Sequence, residues 1–159
     1  MSAAAPTPAE ARAAAARHLQ AGRLDAARHI YTTLLEANPR SIEALNGLAV
    51  TELQAGNADT ALDLLGSAVA VNDRVADTYA NLAVVYRLRD EAGQAETALD
   101  RALTLDPGHL DARINRAALQ LSRGEAPAAV TAFEALVREH PDSASLLCNL
   151  GAALAASGA

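Results

Sequence analysis

Apolar residues recur along this chain at helical spacing, in bursts that themselves repeat. The stretch ANLAVVYRL, from Ala80, reads as the apolar face of a helix interrupted by one asparagine, a mediocre helix former. Later bursts repeat the interruption: INRAALQL carries Asn115 and CNLGAALA carries Asn149, so Asn81, Asn115 and Asn149 stand 34 residues apart. Polar breaks keep the same step. GRLDAARHIYTTLLEANP, GNADTALDLLGSAVAVND, DEAGQAETALDRALTLDP and GEAPAAVTAFEALVREHP begin at Gly22, Gly56, Asp90 and Gly124. Within them Ala27, Ala61, Ala95 and Ala129 share one slot, and Tyr31, Leu65, Leu99 and Phe133 share the next apolar slot. Pro39, Pro107 and Pro141 close three of the units, with Asp73 in the remaining one. The pattern predicts helices near 8–20, 24–37, 42–55, 58–71, 76–89, 92–105, 110–123, 126–139 and 144–156. Glycine after the first helix of a pair suits a left-handed cap, Asp90 takes that place once, and the prolines are expected to stop the second helix.

A unit of 34 residues with two helices and a closing proline resembles the tetratricopeptide repeat (TPR). Tyr79, Leu82, Ala83, Tyr86, Ala95, Leu99, Ala102 and Pro107 match that family's characteristic positions. The resemblance implies an all-α fold: a right-handed TPR solenoid of antiparallel helix pairs, about four and a half repeats long. The expected division is 1–7 as a lead-in, repeats at 8–41, 42–75, 76–109 and 110–143, and the first helix of an incomplete repeat at 144–159. One unit cannot bury its own apolar stripe, so neighbours must stack. The last helix, with Leu147, Leu150 and Leu154, lacks its second helix and is expected to leave apolar surface open to self-association.

Composition narrows the functional classes. With 51% hydrophobic and 20% charged residues over 159 positions, the chain is globular, and its aromatic content is only 3%. A net charge of −6 argues against nucleic acid, which needs a basic footprint. All thirteen basic residues are arginine. The amino-terminal stretch lacks the leucine-rich block of a signal peptide and no run is suited to a bilayer, so a cytoplasmic protein with no membrane partner is expected. Cys148 stands alone, which excludes an internal disulfide. There is no phosphate loop, serine elbow or zinc helix. His18, His29, His109 and His140 share no repeat position or ligand spacing, and Asp59 with Asp63 reads as a solvated helix face. No catalytic residue, metal or cofactor is expected.

In TPR superhelices the first helix of each pair lines a concave groove, and the residue before the Leu-Gly or Leu-Ala pair points into it. Asn81, Asn115 and Asn149 hold that position, and Asn46, in ALNGLAV, lies one residue early. Helices stack at about 10 Å and an extended peptide advances about 3.3 Å per residue, so one amide meets about every third peptide unit. A primary amide offers both donor and acceptor to a peptide backbone. Such a ladder is similar to that of O-linked N-acetylglucosamine transferase-type proteins; the other reading has the amides tying neighbouring helices together. Val50, Val84 and Ala118, in register with Ala16 and Ala152, and Ala80, Ile114 and Cys148 complete an apolar groove, unsuited to the acidic tails that chaperone-binding TPRs clamp. Arg87, Arg113 and Arg116 are the candidate charged anchors. For Arg113 and Arg116 the favoured reading has the stems packing while the heads reach water or an acid. The sequence therefore points to a non-catalytic module that binds an extended segment of a protein partner. The alternative is the substrate-recruiting arm of a larger bacterial protein-modifying enzyme, such as a flagellin or other protein glycosyltransferase.

Overall fold

The computed structural model of the chain describes residues 6–158. Among them run nine α-helices and no strand: α1 (Pro8–Gln20), α2 (Leu24–Ala37), α3 (Ile42–Gln54), α4 (Ala58–Val71), α5 (Ala76–Leu88), α6 (Ala92–Leu105), α7 (Leu110–Ser122), α8 (Ala126–Glu139) and α9 (Ala144–Ser157). Three odd-numbered helices, α3, α5 and α7, stop one residue before the expected end, because Ala55, Arg89 and Arg123 are caps. Ala55 N–H still donates to Thr51 O at 3.1 Å while the next residue, Gly56, turns left-handed at φ +85°.

That turn repeats in all four pairs. Arg23, Asn57, Glu91 and Glu125 each donate N–H to the carbonyl five residues back, on His18, Glu52, Tyr86 and Gln120, at 2.8–2.9 Å. This is the 6→1 bond of a Schellman cap, and it needs a residue with positive φ in front of it. Asp90 supplies that conformation at φ +60° as the one non-glycine to do so among the described residues.

The opposite turn holds the expected proline in three pairs: one cap residue separates the ends of α2, α6 and α8 from Pro39, Pro107 and Pro141. α4 ends at Val71 with no proline after it, in register with α2 and α6. α2, α4 and α6 share an Asn or Asp cap in extended conformation whose side chain accepts a backbone N–H two residues on, while α8 ends at His140. Asn38 takes Arg40 N–H at 3.1 Å, Asn72 takes Arg74 N–H at 2.9 Å, and Asp106 takes Gly108 N–H at 3.0 Å. The side chain offers the backbone an alternative to another helical turn.

α3, α5 and α7 each pack on their own even partner, on the preceding even helix and on the preceding odd helix. The backbones of successive even helices do not approach one another in this way among the described residues. The odd row is therefore the tighter, inner one, and the array bends around it. Small residues let the two helices of a pair approach: Ala27, Ala61, Ala95 and Ala129 are all buried. One turn on, Tyr31, Leu65, Leu99 and Phe133 fill the space towards the next pair, and the core runs along the array in three linked clusters. α9 leaves Leu147 exposed, with Leu150 and Leu154 half-buried.

One polar contact is built into this packing. The carboxylate of Glu52 on α3, in a residue only 6% exposed, accepts from Arg28 Nε of α2 at 2.6 Å and from Asn57 Nδ2, ahead of α4, at 2.6 Å. The Arg28 hydrogen bond holds its pKa below the ordinary 4.5 against the opposing pull of burial, with Asn57 helping. A carboxyl with a depressed folded pKa stabilises fully above its unfolded value and loses that contribution as pH falls through the folded one. Below about pH 5 the wild-type melting temperature should therefore fall more steeply than that of Glu52→Gln, a difference read by circular dichroism melts across pH. Arg28→Ala leaves a buried carboxylate short of its main partner and should cost about 2 kcal/mol at neutral pH. Ala95→Leu overpacks the interface between α5 and α6 and should cost about 1–3 kcal/mol by urea titration.

Candidate functional site: the inner face of the odd helices

The inner row carries the asparagines, and the four of them behave differently. Asn46 on α3 is 9% exposed and fully engaged: its Nδ2 donates to Ile42 O at 3.0 Å and to Thr78 Oγ1 on α5 at 2.9 Å. Its Oδ1 accepts from Asn81 Nδ2 at 3.1 Å. Thr78 is itself buried, so this cross-link between α3 and α5 satisfies polar groups that packing has removed from water. Asn81 keeps its carbonyl oxygen for another partner. Asn115 and Asn149 are half-buried, and among the described residues neither side-chain amide makes a hydrogen bond within the protein. The mortar role and the open-amide role thus divide between the two ends of the row.

Asn46 is out of register for a visible reason. The slot equivalent to Asn81 in α3 is Gly47, and a Cβ there would lie 2.3 Å from the Tyr31 ring and 2.7 Å from its hydroxyl oxygen. Tyr31, from α2, therefore occupies the place where a fourth amide would stand. The residue is 6% exposed, and its hydroxyl, with no hydrogen-bond partner among the described residues, borders the groove. Burial pushes this phenol above its ordinary pKa of 10, opposed by Arg12, so it is a neutral hydroxyl at physiological pH. Sequence reasoning placed Tyr31 in the core. The glycine at the ladder position was the available signal that something bulky lay above it.

The remaining groove residues sort by burial. Val50, Val84, Ile114 and Ala118 are half-buried, and Cys148 is exposed. Ala80 is a correction: at 3% exposure it belongs to the central core cluster and presents no surface to a ligand. Its slot, shared with Asn46, turns inward between helices. The arginine anchors also lie elsewhere. Arg113 makes a two-pronged pair with Glu139 at the end of α8, at 2.5 and 2.7 Å, which lowers the Glu139 pKa, and Arg116 pairs with Asp100 on α6. Both arginines thus point to the outer, even-numbered row. Arg87 is exposed at the end of α5 without an ion pair among the described residues.

Around Tyr31 the groove deepens into a hollow of about 350 Å³, lined among others by Ile42, Asn46, Val50, Val75 and Asn81. Three carboxylates, Glu43, Asp77 and Asp111, complete its wall. The described residues hold no group of three or more His, Cys, Asp or Glu placed to bind a metal, and none of their helices is long and apolar enough to cross a membrane.

Comparison with known proteins agrees with this architecture. A family model described as the tetratricopeptide repeat matches residues 18–84 and 86–154. The structure of TTC0263, a thermophilic TPR protein from Thermus thermophilus, superposes with a TM-score of 0.81 at 26% identity, over 93% of this chain and 81% of that one. That of MamA matches with a TM-score of 0.66 at 25% identity, over 95% and 82%. YrrB, titled a TPR protein with an unusual peptide-binding site, matches in fold at 20% identity with a TM-score of 0.62, over 96% and 78%. No curated protein sequence matches the chain. By repeat model, helix pairing and fold alike, the chain belongs to the tetratricopeptide repeat family, whose arrays are protein–protein interaction modules and are typically non-catalytic.

Proposed function

We propose that the inner face holds an extended segment of a protein partner in the cytoplasm, with the side-chain amides of Asn81, Asn115 and Asn149 hydrogen-bonded to its backbone. The observation that carries this reading is the pair Asn115 and Asn149: half-buried, on the inner row, and without a partner for either donor or acceptor within the described protein. Polar groups partly withdrawn from water gain most when a ligand supplies matching groups. Spacing supports the same reading, since helices about 10 Å apart meet a chain advancing about 3.3 Å per residue at every third peptide unit. Recognition of this kind grips main chain and reads little sequence, while Val84, Ile114 and Ala118 provide apolar floor between the amides.

The test separates gripping from bracing. Proteins captured from native cytoplasm are identified, tiled as peptides, and titrated against wild type and Asn115→Ala/Asn149→Ala. Each lost hydrogen-bond pair should cost about 1 kcal/mol, so the double variant should bind the active tile about thirtyfold more weakly with its melting temperature unchanged. Asn46→Ala should do the reverse, lowering stability by about 1–2 kcal/mol as Thr78 and Asn81 lose their partner. Equal binding of every tile by wild type and the double variant would remove the amides from the site.

Self-association through α9 belongs to the same reading, because Leu147 stands 49% exposed on a helix without a charged residue. Sedimentation velocity over a concentration series should show mass-dependent growth for wild type and a constant monomer for Leu147→Gln.

A further inference from the structure

Three carboxylates in the groove have no arginine to answer them. Glu43, Asp77 and Asp111 are the second residues of α3, α5 and α7, and all three line the hollow beside Tyr31. Many acids elsewhere are paired with arginines: Asp25 and Glu52 with Arg28, Asp59 and Glu91 with Arg89, Asp73 with Arg101, Glu96 with Arg123. The groove acids stay outside that network. Glu43 accepts only from Ser41 Oγ at 3.3 Å, and Asp111 makes no side-chain hydrogen bond among the described residues. Asp77 Oδ1 lies 2.8 Å from His109 Nε2, while His109 Nδ1 accepts Ala112 N–H at 3.2 Å. The ring thus bridges Asp77 to the first turn of α7, and no arginine pairs with Asp77 among the described residues.

The second observation is Tyr31. The residue is 6% exposed, and its hydroxyl has no protein partner among the described residues, so its polar tip stands free for a ligand group. It opens on the same hollow as the three acids. The negative section is bounded: Arg12 of α1, in the register slot of Asn46, acts on Tyr31 from the amino-terminal side, and α9 carries no charge at all.

We propose that this hollow receives a lysine or arginine side chain of the bound segment, its cationic head set among Glu43, Asp77 and Asp111 and donating to the Tyr31 hydroxyl. The aliphatic stem lies along Ile42, Val50 and Val75, as long basic side chains do on apolar surface. The inference rests on the reading that the groove holds an extended chain, and it adds to that reading a charge for the partner. Main-chain contacts supply grip at the carboxyl-terminal repeats, and one basic residue sets register at the amino-terminal ones.

The test uses three fluorescein-labelled probes, tandem Gly-Ser-Lys, Gly-Ser-Gln and Gly-Ser-Glu peptides, titrated by anisotropy at low ionic strength. The lysine probe should bind wild type about tenfold more tightly than the glutamine probe, and salt should erode that preference. Glu43→Gln/Asp77→Asn/Asp111→Asn should abolish the preference, and Tyr31→Phe should weaken the lysine probe about fivefold with the glutamine probe unaffected. Removing three unpaired acids of the even helices, Glu36→Gln/Asp63→Asn/Glu134→Gln, changes net charge equally and should leave the preference intact. Equal binding of lysine and glutamine probes, no binding of the lysine probe, or a preference lost equally in both triple variants would overturn the proposal. Asn115→Ala/Asn149→Ala reports on the amide reading alone: it should weaken all probes alike, and its failure to do so would not touch the charge preference.

Discussion

The close approach of paired helices at four alanines is the constraint on which the rest of the molecule depends. A methyl group at Ala27, Ala61, Ala95 and Ala129 lets each odd helix settle deep against its even partner. Once the helices are that close, the large side chain one turn later cannot stay within its own pair and is directed to the next. Stacking then follows from packing density alone, because voids at those junctions would forfeit dispersion contacts. The inner row is compressed by this stacking and the outer row is not. Curvature, groove and the separation of inner amides from outer ion pairs are consequences of that asymmetry.

The fold was legible because it is written in slots, and slots are what a sequence displays. A constant interval gave the pairs, and the caps gave the helix ends within a residue. What stayed hidden was the occupancy of space above a slot. Gly47 looks like any glycine of the family pattern until the Tyr31 ring is seen against it, and that relation joins residues on different helices. Asn46 and Asn81 carry the same side chain one slot apart, yet only their depth decides that one braces two helices while the other keeps its carbonyl free. Ala80 failed as a groove residue for the same reason: a small apolar side chain reads alike on a groove floor and in a core. The stop at Val71 shows a different limit, since proline was the conspicuous letter and the quieter Asx cap ends the helix where proline is missing.

Equivalent junctions also solve one packing problem with different chemistry. Where α2 meets α3 the slots hold Arg28 and Glu52; where α4 meets α5 they hold Leu62 and Tyr86; where α6 meets α7 they hold Glu96 and Gln120, with Arg123 beside them on Glu96 at 2.9 Å. The first is a buried ion pair, the second is apolar, and the third leaves Gln120 Oε1 buried without a partner among the described residues. Repeats of identical geometry are therefore not interchangeable. Each junction answers acid and salt in its own way, and exchanging one repeat for another would mismatch two of them.

Among the described residues the backbones of successive even helices stay farther apart than those of successive odd helices, so the array has a close-packed inner edge and a looser outer one. It is built like a leaf spring clamped along one side. Small rotations about the inner row open or close the outer gaps while the closely packed edge keeps its length. The bond from Arg101 of α6 to the backbone of Asp73, in the turn after α4, reaches across one such gap. A segment seated along the inner edge would meet a surface of fixed spacing and adjustable curvature, able to follow a bend in its ligand without changing the distance between successive contacts.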